Sequence, residues 1–98
     1  MIYEIRTYTL TIGGVPEYLR IYNESARALQ TAILGNLVGL YQSESGELHQ
    51  LVYIWEYASF DERVKRRKAL MADAGFAAFR KATHHLLVRQ ESRLLSKA

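Results

Sequence analysis

GLYQSESGELHQLVYIWEYASFDERVKRR, residues Gly39 to Arg67, holds a hairpin, an aromatic strand and a capped helix in succession. Leu37 to Glu44 reads as a strand, Ser45-Gly46 as a turn, and Leu48 to Tyr57 as a further strand. The connection is short, so the two strands are expected to run antiparallel. Ser59, with Glu62 three residues on, fits a capping box that opens a helix. That helix is expected to bury Phe60, Val64, Met71 and Ala74. Lys65, Arg66 and Lys68 would form its solvated face, with Asp61–Lys65 and Glu62–Arg66 as i, i+4 pairs.

Upstream, Ile2 to Thr11 alternates, is rich in Ile, Tyr and Thr, and predicts a strand that Gly13-Gly14 ends. Pro16 then suits a first helical turn, with Glu17 placed for the helix dipole. Val15, Leu19, Tyr22, Ala26, Leu29 and Ile33 form one helical stripe, and Gly35 is the expected C-terminal cap. Downstream, Gly75 is expected to interrupt the helix. A second piece, Phe76 to His85, would turn Phe76, Phe79 and Ala82 or Thr83 inward, before a last strand from Arg89 to Ser96. The order is β-α-β-β-α-β. It predicts an α+β, ferredoxin-like fold: one four-stranded antiparallel sheet with helices on one face. The 98 residues suit a single domain, residues 1–98.

Several motifs resemble the NIPSNAP family: the Gly39-Leu40-Tyr41 strand, the Gly46-Glu47-Leu48 turn, the Trp55-Glu56-Tyr57 strand end, and Ser59, Arg63 and Arg67 spaced by four. Tyr3-Glu4-Ile5-Arg6-Thr7-Tyr8 is similar to that family's opening strand. The resemblance implies a homodimer in which two sheets pair into a dimeric α+β barrel. It implies no reaction. His49 stands where the family pattern has Asn.

Composition narrows the chemistry. With no cysteine there is no disulfide, thiolate metal site or cysteine nucleophile. Lys plus Arg number 13 against 10 Asp plus Glu, an excess too small to call for nucleic acid. No apolar run is long enough for a bilayer, and no leader precedes the first strand, so a cytoplasmic protein with no membrane partner is expected. Phosphate loops, G-x-S-x-G and zinc motifs are absent. His84 and His85 are neighbours near a helix end and point about 100° apart, so they do not share one metal. No metal or cofactor is expected.

The third strand is apolar on both faces. Val52 and Ile54 are assigned to the helices, which leaves Tyr53 and Trp55 on the open face with Gly39, Tyr41, Glu4, Arg6 and Tyr8. Contiguous aromatic surface marks an interface or ligand site, so this face is expected to meet a second sheet. Glu4, Arg6 and Tyr8 share one strand face and, with Tyr41, Tyr53 and Trp55, are the candidate ligand-binding residues. Arg6 would anchor an oxygen, Tyr8 would donate to it, and Glu4 would orient Arg6. Arg63 and Arg67 lie near one helical face and are expected to be structural, with Arg67 needing an acceptor inside the apolar stripe. Three functions are open to such a chain: a barrel that binds a small aromatic or conjugated molecule, as a binding protein or a cofactor-free enzyme; a non-catalytic dimeric scaffold; and haem binding through His84 or His85, against which the lack of any other ligand cluster argues.

Overall fold

A computed structural model describes residues 1–98. Strand β1 (Ile2–Leu10) is followed by helices α1 (Gly14–Ser25) and α2 (Arg27–Leu34), strands β2 (Asn36–Gln42) and β3 (Gln50–Tyr57), helices α3 (Phe60–Ala72) and α4 (Ala74–Thr83), a short 3-10 turn at His84–Leu86, and strand β4 (Leu87–Ser96). The sheet order is β2-β3-β1-β4, with every pairing antiparallel. The predicted ferredoxin-like topology is the observed one, with β1 and β3 central. All four helices are in one layer, which leaves a slab of 35 × 34 × 18 Å whose second sheet face is uncovered.

The two faces of the sheet are exchanged relative to expectation. Leu51, Tyr53, Trp55 and Tyr57 lie under the helices, each at most 2% exposed, whereas Val52 and Ile54 face outward, half-buried. Alternation separates the two sets of side chains but cannot say which set the helices cover when both are apolar. The large rings fill the gap between the layers: Tyr53 meets Tyr22 at 5.4 Å and Tyr8 at 5.3 Å, and stacks on Trp55 at 6.2 Å. The outer face carries Tyr3, Ile5 and Thr7 of β1, Val52 and Ile54 of β3, and Gly39 and Tyr41 of β2, as the register requires.

The first helical segment is broken at Ala26 (φ −131°, ψ −28°), where one continuous helix was expected. The Ser25 hydroxyl donates back to the Ile21 carbonyl at 2.7 Å, a bond that bends helices. Its buried line is Tyr18, Tyr22, Ala26, Gln30 and Leu34. Val15, Leu19, Leu29 and Ile33 of the expected stripe only flank this core. Gly35 ends α2 at φ +101°, a conformation that suits glycine.

Helix α3 begins as predicted, the Glu62 N–H donating to the Ser59 hydroxyl at 3.1 Å. Its inward face differs. Phe60, Val64 and Met71 are 57%, 58% and 46% exposed, Ala74 is exposed too, and Leu70 is the fully buried residue. Arg63 and Arg67 share the Leu70 face. A carboxylate buried in the sheet below (Glu4) requires cations above it, and this pairing outweighs the burial of three apolar side chains. Glu62–Arg66 forms an ion pair at 2.8 Å, while the expected Asp61–Lys65 pair is absent. The break before α4 falls at Asp73, not Gly75: the Asp73 carboxylate accepts from the Phe76 N–H at 2.8 Å and caps the new helix. Helix α4 then buries Phe76, Phe79 and Thr83.

Candidate functional site

Alternation along β1 sends Glu4, Arg6 and Tyr8 to the helix side, beside Trp55, Tyr53 and Leu51 of β3 and Leu94, Ser92 and Gln90 of β4. Glu4 has no exposed surface. Its Oε2 accepts from Arg63 Nη2 at 2.7 Å, from Arg6 Nη1 at 3.1 Å and from the Ser92 hydroxyl at 2.5 Å. Burial pushes the Glu4 carboxyl up. The bonds from Arg63 and Ser92, with the charges of Arg6 and Arg63, outweigh that and hold it down at about 2. Glu4 is therefore an ionised orienter at neutral pH, the wrong state for a general acid and too weak for a general base.

Arg6 is fully engaged. Its Nε donates to the Tyr8 hydroxyl at 3.0 Å, and its Nη2 to Gln90 Oε1 at 3.4 Å. Burial disfavours its charge, but Tyr8 and Glu4 more than compensate, and its pKa rises. Burial raises the phenols of Tyr18 and Tyr53, and that of Tyr22 to about 12, so these tyrosines are neutral.

A cavity of about 380 Å³ opens between the sheet and the helices at the Tyr8 end of this row. Arg6, Tyr8, Gln90 and Leu87 come to it from the sheet, Tyr18 and Gln30 from α1 and α2, and Arg67 and Met71 from α3. Phe76, Phe79, Arg80 and Thr83 of α4, with His84, complete it. Phe76 and Phe79 pack at 5.8 Å and Phe79 meets the Tyr18 ring edge-on at 5.5 Å, giving an aromatic wall.

Among the candidate residues, then, Arg6 and Tyr8 line the cavity. Glu4 stands behind Arg6, and Tyr53 behind Tyr8. Trp55 is fully buried beside Tyr53, away from the cavity. Tyr41 is on the outer face and 56% exposed. The enclosure lies within one chain, between its own two layers, and not between two sheets. Arg63 holds the Glu4 ion pair. Arg67 has no such partner: its Nη1 is buried without a hydrogen bond and it makes no ion pair. Burial and the neighbouring charge of Arg6 lower its pKa.

Gln30, Tyr18, Phe79 and Thr83 were not among the sequence candidates for ligand binding. Gln30 carries a detectable signal, a polar side chain four residues beyond Ala26 on the line Tyr18, Tyr22, Ala26. Phe79 and Thr83 read as ordinary core and Tyr18 lies off the expected stripe, and only the tertiary arrangement opens a space beside them. No group of three or more His, Asp or Glu is arranged to hold a metal ion, and no helix is long and apolar enough to cross a membrane.

A ferredoxin-like sheet covered by helices on one side, with a charged and aromatic cavity between the layers, defines the class. The chain belongs to the NIPSNAP family, whose model matches residues 3–98. It is 30% identical over 95 residues to Protein NipSnap homolog 1 of Danio rerio, covering 96% of this chain and 33% of that one. The chain thus spans about a third of the length of this curated relative. A crystal structure of a NIPSNAP family protein with unknown function from Agrobacterium tumefaciens is 38% identical, with a TM-score of 0.96 over 100% of this chain and 88% of that one. A protein from Mycobacterium tuberculosis, 16% identical, has a TM-score of 0.67 over 99% of this chain and 94% of that one, and shares the fold alone.

Proposed function

We propose that the protein binds a small aromatic or conjugated molecule in the cavity between its sheet and helices, and that it works as a homodimer joined through the outer sheet faces. One observation carries the binding reading: the 380 Å³ cavity combines an aromatic wall with polar groups from both the sheet and the helices, the usual constitution of a small-ligand site. Its volume is at the lower end of such sites and suits a compact ligand. The homodimer is supported by the uncovered outer face, where Ile5, Val52 and Ile54 form an apolar centre that a lone slab leaves in water. A cytoplasmic location is part of the same proposal. Any turnover is a step beyond binding, and Glu4 does not supply its base.

A melting-temperature screen against small aromatic compounds tests the binding. Hits should raise the melting temperature of the wild type. Met71→Trp, which adds bulk at the exposed rim of the cavity, should leave the ligand-free melting temperature unchanged and abolish the shift. No hits, or hits indifferent to Met71→Trp, would favour the non-catalytic scaffold, for which the outer face is the relevant surface.

A further inference from the structure

Four groups in the Glu4 cluster carry formal charge, and they do not balance. Arg6, Arg63 and Arg67 gather around the single carboxylate of Glu4, which stands behind the cavity, and no Asp or Glu lines the cavity itself. Arg6 and Arg63 share Glu4, which leaves two cations at the cavity without an ion pair, Arg67 and Arg80; Arg80 is exposed, whereas Arg67 is half-buried with its Nη1 out of reach of solvent. A half-buried guanidinium beside a second guanidinium costs stability, and Arg67 Nη1 makes no hydrogen bond to the protein.

Further donors are uncommitted at the same cavity, among them Tyr8 and Gln30. The Tyr8 hydroxyl accepts from Arg6 Nε, so its own proton is available. Gln30, only 3% exposed, accepts the Tyr22 hydroxyl proton through Oε1, which leaves its amide NH2 to donate. Thr83 is not such a donor, since its hydroxyl is used by the Phe79 carbonyl at 3.0 Å. The available groups from β1, α2 and α3 are thus all donors, with Arg67 the cation among them, and the exposed Arg80 of α4 adds a second cation. Phe76 and Phe79 of α4 form the aromatic wall, with the Arg80 guanidinium over the Phe76 ring at 5.9 Å.

We propose that the cavity selects a small aromatic or conjugated carboxylate, its carboxylate held by Arg67 and assisted by Tyr8 and Gln30, its flat body against Phe76 and Phe79. This rests on the binding reading above and adds the charge of the ligand to it. A guanidinium fork matches a carboxylate in two parallel bonds, and a planar body suits the phenyl wall. A phosphate fits less well, because the cavity has no glycine loop or helix N-terminus aimed into it.

The test uses matched pairs in which only the charge changes: benzoate and benzamide, phenylacetate and phenylacetamide, 2-naphthoate and 2-naphthamide. Binding is read by ¹H–¹⁵N correlation spectra that include the arginine side chains. Carboxylates should shift Arg67 Nε–H and the Phe76 and Phe79 amides, and bind ~10-fold or more tighter than their amides, as a charged hydrogen bond predicts. Arg67→Gln should remove that preference and leave the amides within ~2-fold of wild type. Arg67→Met should raise the ligand-free melting temperature, because it removes an unpaired buried charge, while it too abolishes the preference. Equal binding of both members, unchanged by Arg67→Gln, would overturn the charge selectivity and leave cavity binding standing. No shift at the cavity from any pair would overturn both. Arg67→Met that lowers the melting temperature while the preference persists would make Arg67 structural and also overturn the proposal.

Discussion

Glu4 shows what a single buried carboxylate dictates. It fixes Arg6 on its own strand and Arg63 on α3, so the first turns of α3 are held to the centre of the sheet by charge. The carboxyl is held near 2, below its ordinary 4.5, so the folded state favours the ionised form. Its contribution to stability is complete above the ordinary value and is lost as pH falls through the window from 4.5 to about 2. Denaturant melts between pH 7 and pH 2 should show that loss. Glu4→Gln should be less stable at pH 7 by about 3 kcal/mol, because two arginines lose their partner, and should lose less than the wild type through the acid window, where Glu17 and Glu62 still titrate. A variant with the wild-type acid profile would mean that other carboxylates set it. His49 illustrates a second residue-scale rule. It sits at φ +62°, in the left-handed region that Asn and His enter more readily than most residues. A histidine at this turn position therefore carries little backbone strain, which the sequence showed only as a departure from the Asn that the resemblance leads one to expect.

Element types and order were legible in the sequence because strand alternation, glycine breaks and capping residues act locally. The orientation of the elements was less legible. Helix α3 has two neighbouring stripes, Phe60-Val64-Met71 and Arg63-Arg67-Leu70, and apolar burial alone selects the wrong one. Only the buried Glu4, which lies 59 residues away from Arg63, makes the second stripe the inner one. The same limit exchanged the faces of β3. The Asp73 cap was overlooked because Gly75 offered a more conspicuous breaker. The capping bond predicts its own test: Asp73→Ala should lower stability by about 1 kcal/mol in urea unfolding, with Gly75→Ala costing less. If Gly75→Ala were the more damaging of the two, the break would belong to the glycine after all.

At the scale of the whole molecule, the slab divides its duties between two surfaces. The helix-side surface of the sheet holds the charged row, the aromatic core and the cavity, and the outer surface is a shallow field of Tyr3, Ile5, Val52, Ile54 and Tyr41. The candidate set Glu4, Arg6 and Tyr8 was legible because three polar side chains on one face of a central strand need compensation. The enclosing space was not, because it depends on which layer covers them. A homodimer through the outer face should bury at least ~1,200 Å² in total. Ile54→Glu, at the centre of that face, should sediment as a folded monomer while the wild type sediments as a dimer. A wild-type monomer at micromolar concentration would remove the dimer from the account. The central claim is that ligand is held inside one chain, between its sheet and its helices. A crystal structure of the protein with its tightest small aromatic ligand tests this directly. The account predicts density between Arg67, Tyr8 and Phe79 in each protomer; density on the outer sheet face, shared between two copies around Tyr41 and Ile54, would contradict it.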